Sequence, residues 1–105
     1  HRVYISSKNL TTIKRGAFSE CSGITKFNVV STKLNSMGKY ALYRTGKLKT
    51  VIFKTGYLTK SNVGSKAFSG IKSTATFTVP AGSVQNYKDL FKSKGAGSKF
   101  KVKSL

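Results

Sequence analysis

The sequence predicts an α/β repeat solenoid, with short parallel strands on one face, short helical turns on the other and a capping helix at the C-terminal end. Three observations predict it. A stretch of about 20 residues recurs without a gap, Leu10 to Val29 aligning with Leu34 to Phe53 at an offset of 24. Five apolar doublets of the form x-apolar-x-apolar are spread over the whole chain. One amphipathic stretch near the end breaks the repeat.

The doublets are Val3/Ile5, Phe27/Val29, Val51/Phe53, Phe77/Val79 and Phe100/Val102. Apolar residues separated by one residue have the period of a strand with one buried face. Between the doublets, Ile13 and Ala17, Met37 and Ala41, and Val63 and Ala67 have one-turn helical spacing. A small Ala there suits a short helical or 3₁₀ turn lying close against the strands. One coil cannot bury its own apolar face, so stacked coils must supply the core. The predicted repeat units are 6–29, 30–53 and 54–79, followed by a cap over 80–105, in one domain. The third unit departs most. Val63, Ala67, Phe68 and Ile71 keep the pattern, Thr74 stands where Ile24 and Leu48 stand, and Lys60 replaces the leading Leu.

After Pro80, the residues Val84, Tyr87, Leu90 and Phe91 fall on one helical face. Ser83 is the expected N-cap and Gly95 the expected C-terminal stop. Lys92 and Lys94 lie where the helix dipole favours cations. A helix here would cover the open end of the stack.

The run from Leu10 to Val29, with Ala17-Phe18-Ser19 followed by Cys21, Ile24 and Phe27, resembles the bacterial surface leucine-rich repeat of the BspA type. Leu34 to Phe53 and Val63 to Gly70 repeat it, and Val79-Pro80 leading to Tyr87-Lys88 resembles the end of such an array. The resemblance implies a right-handed leucine-rich-repeat solenoid, the C-terminal part of a larger modular protein, secreted or displayed on the cell surface. It implies adhesion to a host or bacterial surface protein or glycan, with no shared enzyme activity. The chain opens on His1 without a Met, as a piece cut from a longer protein would.

The inventory narrows function independently. Twenty Lys+Arg face two acids, Glu20 and Asp89, for a formal charge of +18. Two carboxylates so far apart in sequence do not make an acid/base pair. One His and one Cys cannot build a zinc site, and Mg²⁺ or Ca²⁺ would lack oxygen anions. Any Ser nucleophile would need a base, and the only His is terminal. No catalytic residue, metal ligand or cofactor is therefore assigned. A single Cys forms no internal disulfide, and Cys21 is expected in the core, at the place of Thr45 and Ile71. No apolar run approaches the roughly 20 residues of a membrane helix.

If the doublets point inward, the alternate residues form an outward row: Arg2 and Tyr4, Lys26 and Asn28, Thr50 and Ile52, Thr76 and Thr78, Lys99 and Lys101. Tyr4, Lys26, Asn28, Thr50, Ile52, Thr76 and Thr78 are the expected ligand contacts. The opposing reading is a solvated sheet in which Thr is at home. The charge suggests an alternative, a basic spacer or wall-retention module binding anionic polymers. Nucleic-acid binding ranks below both. No helix-turn-helix, zinc-finger or RNP-like stretch is present, and the repeat aromatics Phe18, Phe27, Phe53, Phe68 and Phe77 are expected to be buried.

Overall fold

In the computed structural model, which describes all residues from His1 to Leu105, strands fall on the first four apolar doublets. The elements in chain order are β1 (Arg2–Ile5), β2 (Thr12–Ile13), β3 (Lys26–Val29), β4 (Ser36–Met37), β5 (Thr50–Phe53), β6 (Thr76–Val79), α1 (Val84–Ser93) and β7 (Lys101–Ser104). A 3₁₀ turn over Ala81–Ser83 leads into α1. The main sheet has the order β1-β3-β5-β6-β7, and every neighbouring pair is parallel. Phe27, Val29, Val51, Phe53, Phe77 and Val79 all point into the core and are fully buried. β2 and β4 form a second, two-stranded parallel ladder, extended by a bridge between Met37 and Val63. Each coil thus runs from the main sheet past this ladder and back through a ridge of turns.

The ridge is not helical. The N–H groups of Ala17, Ser19 and Cys21 donate within the coil to Lys14, Gly16 and Phe18 carbonyls. The alternating N–H groups of Gly16, Phe18 and Glu20 donate instead to the next coil, at Lys39, Ala41 and Tyr43. The second coil does the same: Tyr40, Leu42 and Arg44 donate to Ser65, Ala67 and Ser69. A helix would use every N–H locally, so sharing half of them between coils enforces tandem turns. The geometry needs left-handed backbone at two places per coil. Gly16, Tyr40 and Lys66 have φ of 66°, 63° and 58°; Glu20, Arg44 and Gly70 have 60°, 57° and 83°. The left-handed region costs a non-glycine residue about 1–2 kcal/mol.

Other expectations need correction. The leading Leu of the third coil is Leu58, 4% exposed, and not Lys60, which is exposed. Val63 and Ala67 stand 26 residues after Met37 and Ala41, two more than the first offset of 24, because of an extra turn at Thr59–Asn62, closed by Thr59 N–H donating to Asn62 Oδ1 at 2.8 Å and Asn62 Nδ2 donating to the Tyr57 carbonyl at 2.9 Å. Cys21 is exposed, although Thr45 and Ile71 at the equivalent places are buried. It lies on the outer side of the first coil in this structure, where Phe18 is half-buried and Ala17 exposed, while Ala41, Leu42, Ala67 and Phe68 are fully buried. Ser83 makes no side-chain cap, because its backbone is already helical in the preceding 3₁₀ turn. Gly95 does stop the helix, with φ of 105°.

The last strand is also displaced. Thr76 pairs with Lys101 and Phe77 with Val102, so β7 stands 25 residues after β6, although the doublets Phe77/Val79 and Phe100/Val102 are 23 apart. Phe100 precedes the strand and sets its ring edge-on to Phe77 at 5.7 Å. The Phe100 N–H donates to the Gly97 carbonyl, closing a turn that takes Lys99 out of the row.

α1 closes this end of the core as its apolar face predicts, burying Tyr87, Leu90 and Phe91. Tyr87 also ties the cap to the third coil. Its buried hydroxyl donates to the Thr55 carbonyl at 2.7 Å and accepts from the Leu58 N–H at 3.2 Å. Tyr87→Phe leaves both backbone groups unpaired, so we expect a loss of about 1–3 kcal/mol in urea unfolding. Burial pushes the Tyr87 phenol above its ordinary value of 10.0. The unfolded chain therefore ionises first as pH rises, and this contribution is lost above about pH 10. Tyr87→Phe should lack that part of the alkaline destabilisation.

Candidate functional site

Period-2 alternation turns every second strand residue outward, and the parallel register stacks these residues into two rows. One row runs Arg2, Lys26, Thr50, Thr76, Lys101; the other runs Tyr4, Asn28, Ile52, Thr78, Lys103. Neighbouring strands stand about 4.8 Å apart, so each row is continuous. The seven expected contact residues Tyr4, Lys26, Asn28, Thr50, Ile52, Thr76 and Thr78 all lie on this face. The row ends in Lys101 and Lys103; Lys99 is not part of it. Tyr4 is 65% exposed, whereas Ile52 is half-buried between its neighbours.

The face has relief. At its β1 end, Arg2, Val3, Tyr4, Lys26 and Asn28 line a hollow of about 340 Å³. Asn28 Oδ1 is buried there and accepts no hydrogen bond. A buried acceptor left unpaired costs free energy, and such atoms in folded proteins call for an explanation. At the other end, Thr76 and Lys101 border a larger hollow of about 780 Å³ between α1 and β7, lined by Lys88, Lys92 and Lys103 with Gln85 and Asp89. Four of its walls are therefore cationic. The row was legible from alternation alone. The unpaired state of Asn28 was not, because it depends on what the neighbouring strands fail to offer.

No three His, Cys, Asp or Glu side chains come together in the fold. The one salt bridge, Arg44 Nη1 to Glu20 Oε1 at 3.9 Å, is exposed and weak. No helix is long and apolar enough to cross a membrane.

Parallel strands stacked coil upon coil around one apolar core, with a helical cap, define a repeat solenoid. Residues 2–104 match the BspA type leucine rich repeat region in six copies, and the chain belongs to that family. No curated protein and no solved structure matches it. Members of the family are often surface adhesion or protein-interaction modules.

Proposed function

We propose that this chain is a non-catalytic adhesion module, exposed at the cell surface, that holds a protein of a host or bacterial surface against the outward face of its main sheet. The observation that carries the reading is the hollow bordered by Arg2, Tyr4, Lys26 and Asn28 on the outward face, with Tyr4 65% exposed beside it. Tyr4 offers an aromatic anchor at the hollow's edge, and Ile52 and Thr78 continue the row beside it. Such stacked faces are the surfaces repeat proteins use for binding.

The test is a panel of extracellular matrix and bacterial surface proteins, probed with the intact chain and with a Tyr4→Ala/Ile52→Ala variant. A partner seated on the sheet should lose about tenfold or more in affinity, the size expected when central contacts are truncated. The melting temperature should change little, since neither side chain is in the core. Unchanged affinity would reject the face. A second reading is retention on an anionic wall polymer, favoured by the +18 charge. It predicts binding that collapses between low and moderate salt and ignores both substitutions.

A further inference from the structure

The turn ridge, on the side away from the main sheet, carries a cluster that the sheet reading does not use. Its two left-handed positions per coil favour glycine, and each outer coil has one, Gly16 or Gly70, with Glu20 or Lys66 at the other, whereas the second coil has none. The second coil instead places Tyr40 and Arg44 there, at φ of 63° and 57°. Bulky residues persist in such backbone where their side chains have a use. Tyr43 departs from the repeat as well, since Ser19 and Ser69 occupy its place in the other coils.

These three departures meet in space. The Tyr40 and Tyr43 rings lie 4.9 Å apart at 57°. Lys39 Nζ stands 5.0 Å from the Tyr40 centroid, the Arg15 guanidinium 5.9 Å from it, and the Arg44 guanidinium 5.2 Å from the Tyr43 centroid. Both rings are half-buried and all three cations are exposed. Against three positive groups the cluster has one acid, Glu20, whose contact with Arg44 is at the outer limit of an ion pair.

We propose that this cluster is a second binding site, for a sulfated polysaccharide. Guanidinium forks take sulfate oxygens two at a time, and a fork already resting on an aromatic ring has less freedom to lose on binding. The phenol rings provide the flat apolar surface that a pyranose ring needs beside its anionic groups. Nucleobases fit less well. The two rings are tilted against each other and approached by cations, so they do not form the open parallel platform that stacked bases need.

The test uses heparin as the probe, at near-physiological salt, with the intact chain. Tyr40→Gly leaves the net charge unchanged and puts glycine where the backbone favours it. Its melting temperature should be equal or higher, while heparin affinity falls about fivefold or more, the scale of losing a cation-flanked aromatic. Tyr43→Ser, which restores the residue of the other coils, should act alike and serves if Tyr40→Gly folds poorly. Lys60→Ala, an exposed cation in the Thr59–Asn62 turn, should cost less than about twofold. Unchanged affinity in both tyrosine variants, or an equal loss in Lys60→Ala, would show a diffuse charge effect and overturn the site. So would equal binding of a neutral polysaccharide. An equal loss of single-stranded DNA binding in Tyr40→Gly would assign the cluster to nucleic acid and overturn the glycan reading.

Discussion

Gly38→Ala should cost about 3 kcal/mol or more and release the first coil from the stack, the upper end of what overpacking does. Gly38 follows β4 where two coils approach most closely. Its N–H donates to the Ile13 carbonyl at 2.7 Å. A Cβ at Gly38 would fall on the backbone nitrogen and Cα of Arg15, and at Gly64 on those of Lys39. The obstacle is backbone, so no rotamer change relieves it. The first coil would have to move away, breaking the β2–β4 ladder and the ridge hydrogen bonds from Gly16 and Phe18. Lys14 occupies the equivalent place in the first coil. Lys14 is exposed, and Lys14→Ala in this chain should stay within about 0.5 kcal/mol. Urea unfolding of the pair, with hydrogen exchange over 10–24, checks both. A Gly38→Ala protein as stable as the parent would mean that the coils are not held at this distance.

What could be read in advance follows from which interactions leave a local trace. Most strands of the main sheet did, because β3, β5 and β6 each bury two residues with one between and β1 half-buries such a pair, nearly one coil length apart. The cap did, because Tyr87, Leu90 and Phe91 share a helical face. The ridge has helical spacing without being helical, for a physical reason. Ile13 and Ala17 have the same i, i+4 spacing in a helix and in tandem turns. The distinction is whether the intervening N–H groups bond within the coil or to the next one, and spacing carries no information on that. Leu58 is masked because the Thr59–Asn62 insertion follows it, so alignment from the strand backwards lands on Lys60. The exposure of Cys21 depends on what lies behind its coil, not on its own repeat position. On the candidate face, alternation was enough to place Tyr4, Lys26, Asn28, Thr50, Ile52, Thr76 and Thr78 together. Lys99 was misplaced because Phe100 leaves the strand to pack on Phe77.

These particulars bear on where the molecule can bind. The solenoid buries its repeat aromatics almost completely, and with them the surface most often used to stack on bases. What remains outside is a Thr-rich sheet face with one unpaired acceptor, and a ridge whose departures from the repeat are aromatic and basic. With +18 spread over one small fold, any anionic surface will attract the chain at low salt. Specificity must therefore come from uncharged groups. That is why the tests of both faces rely on Tyr4, Ile52, Tyr40 and Tyr43, none of which alters the net charge when substituted.

Phe91→Ala should cost about 3–5 kcal/mol, the usual range for a buried aromatic reduced to Ala. Phe91 is the point where the cap meets the stack. It is fully buried, lies stacked on Phe77 at 4.1 Å, and contacts Phe68 at 5.1 Å, Tyr87 at 5.2 Å and Phe53 at 6.1 Å. Phe53 in turn meets Phe27 at 6.4 Å, so the aromatic column runs from the cap toward the first coil. Truncation empties the centre of that column, and the hollow cannot collapse without moving α1. Domains of this size are stable by about 5–15 kcal/mol in total, so the loss removes a large share. The sharper readout is regional. Exchange of the α1 amides, and of Lys101 and its strand neighbours, should accelerate more than that of β3. If Phe91→Ala instead loosened all strands equally, the cap would be one cooperative unit with the sheet rather than a cover added to it.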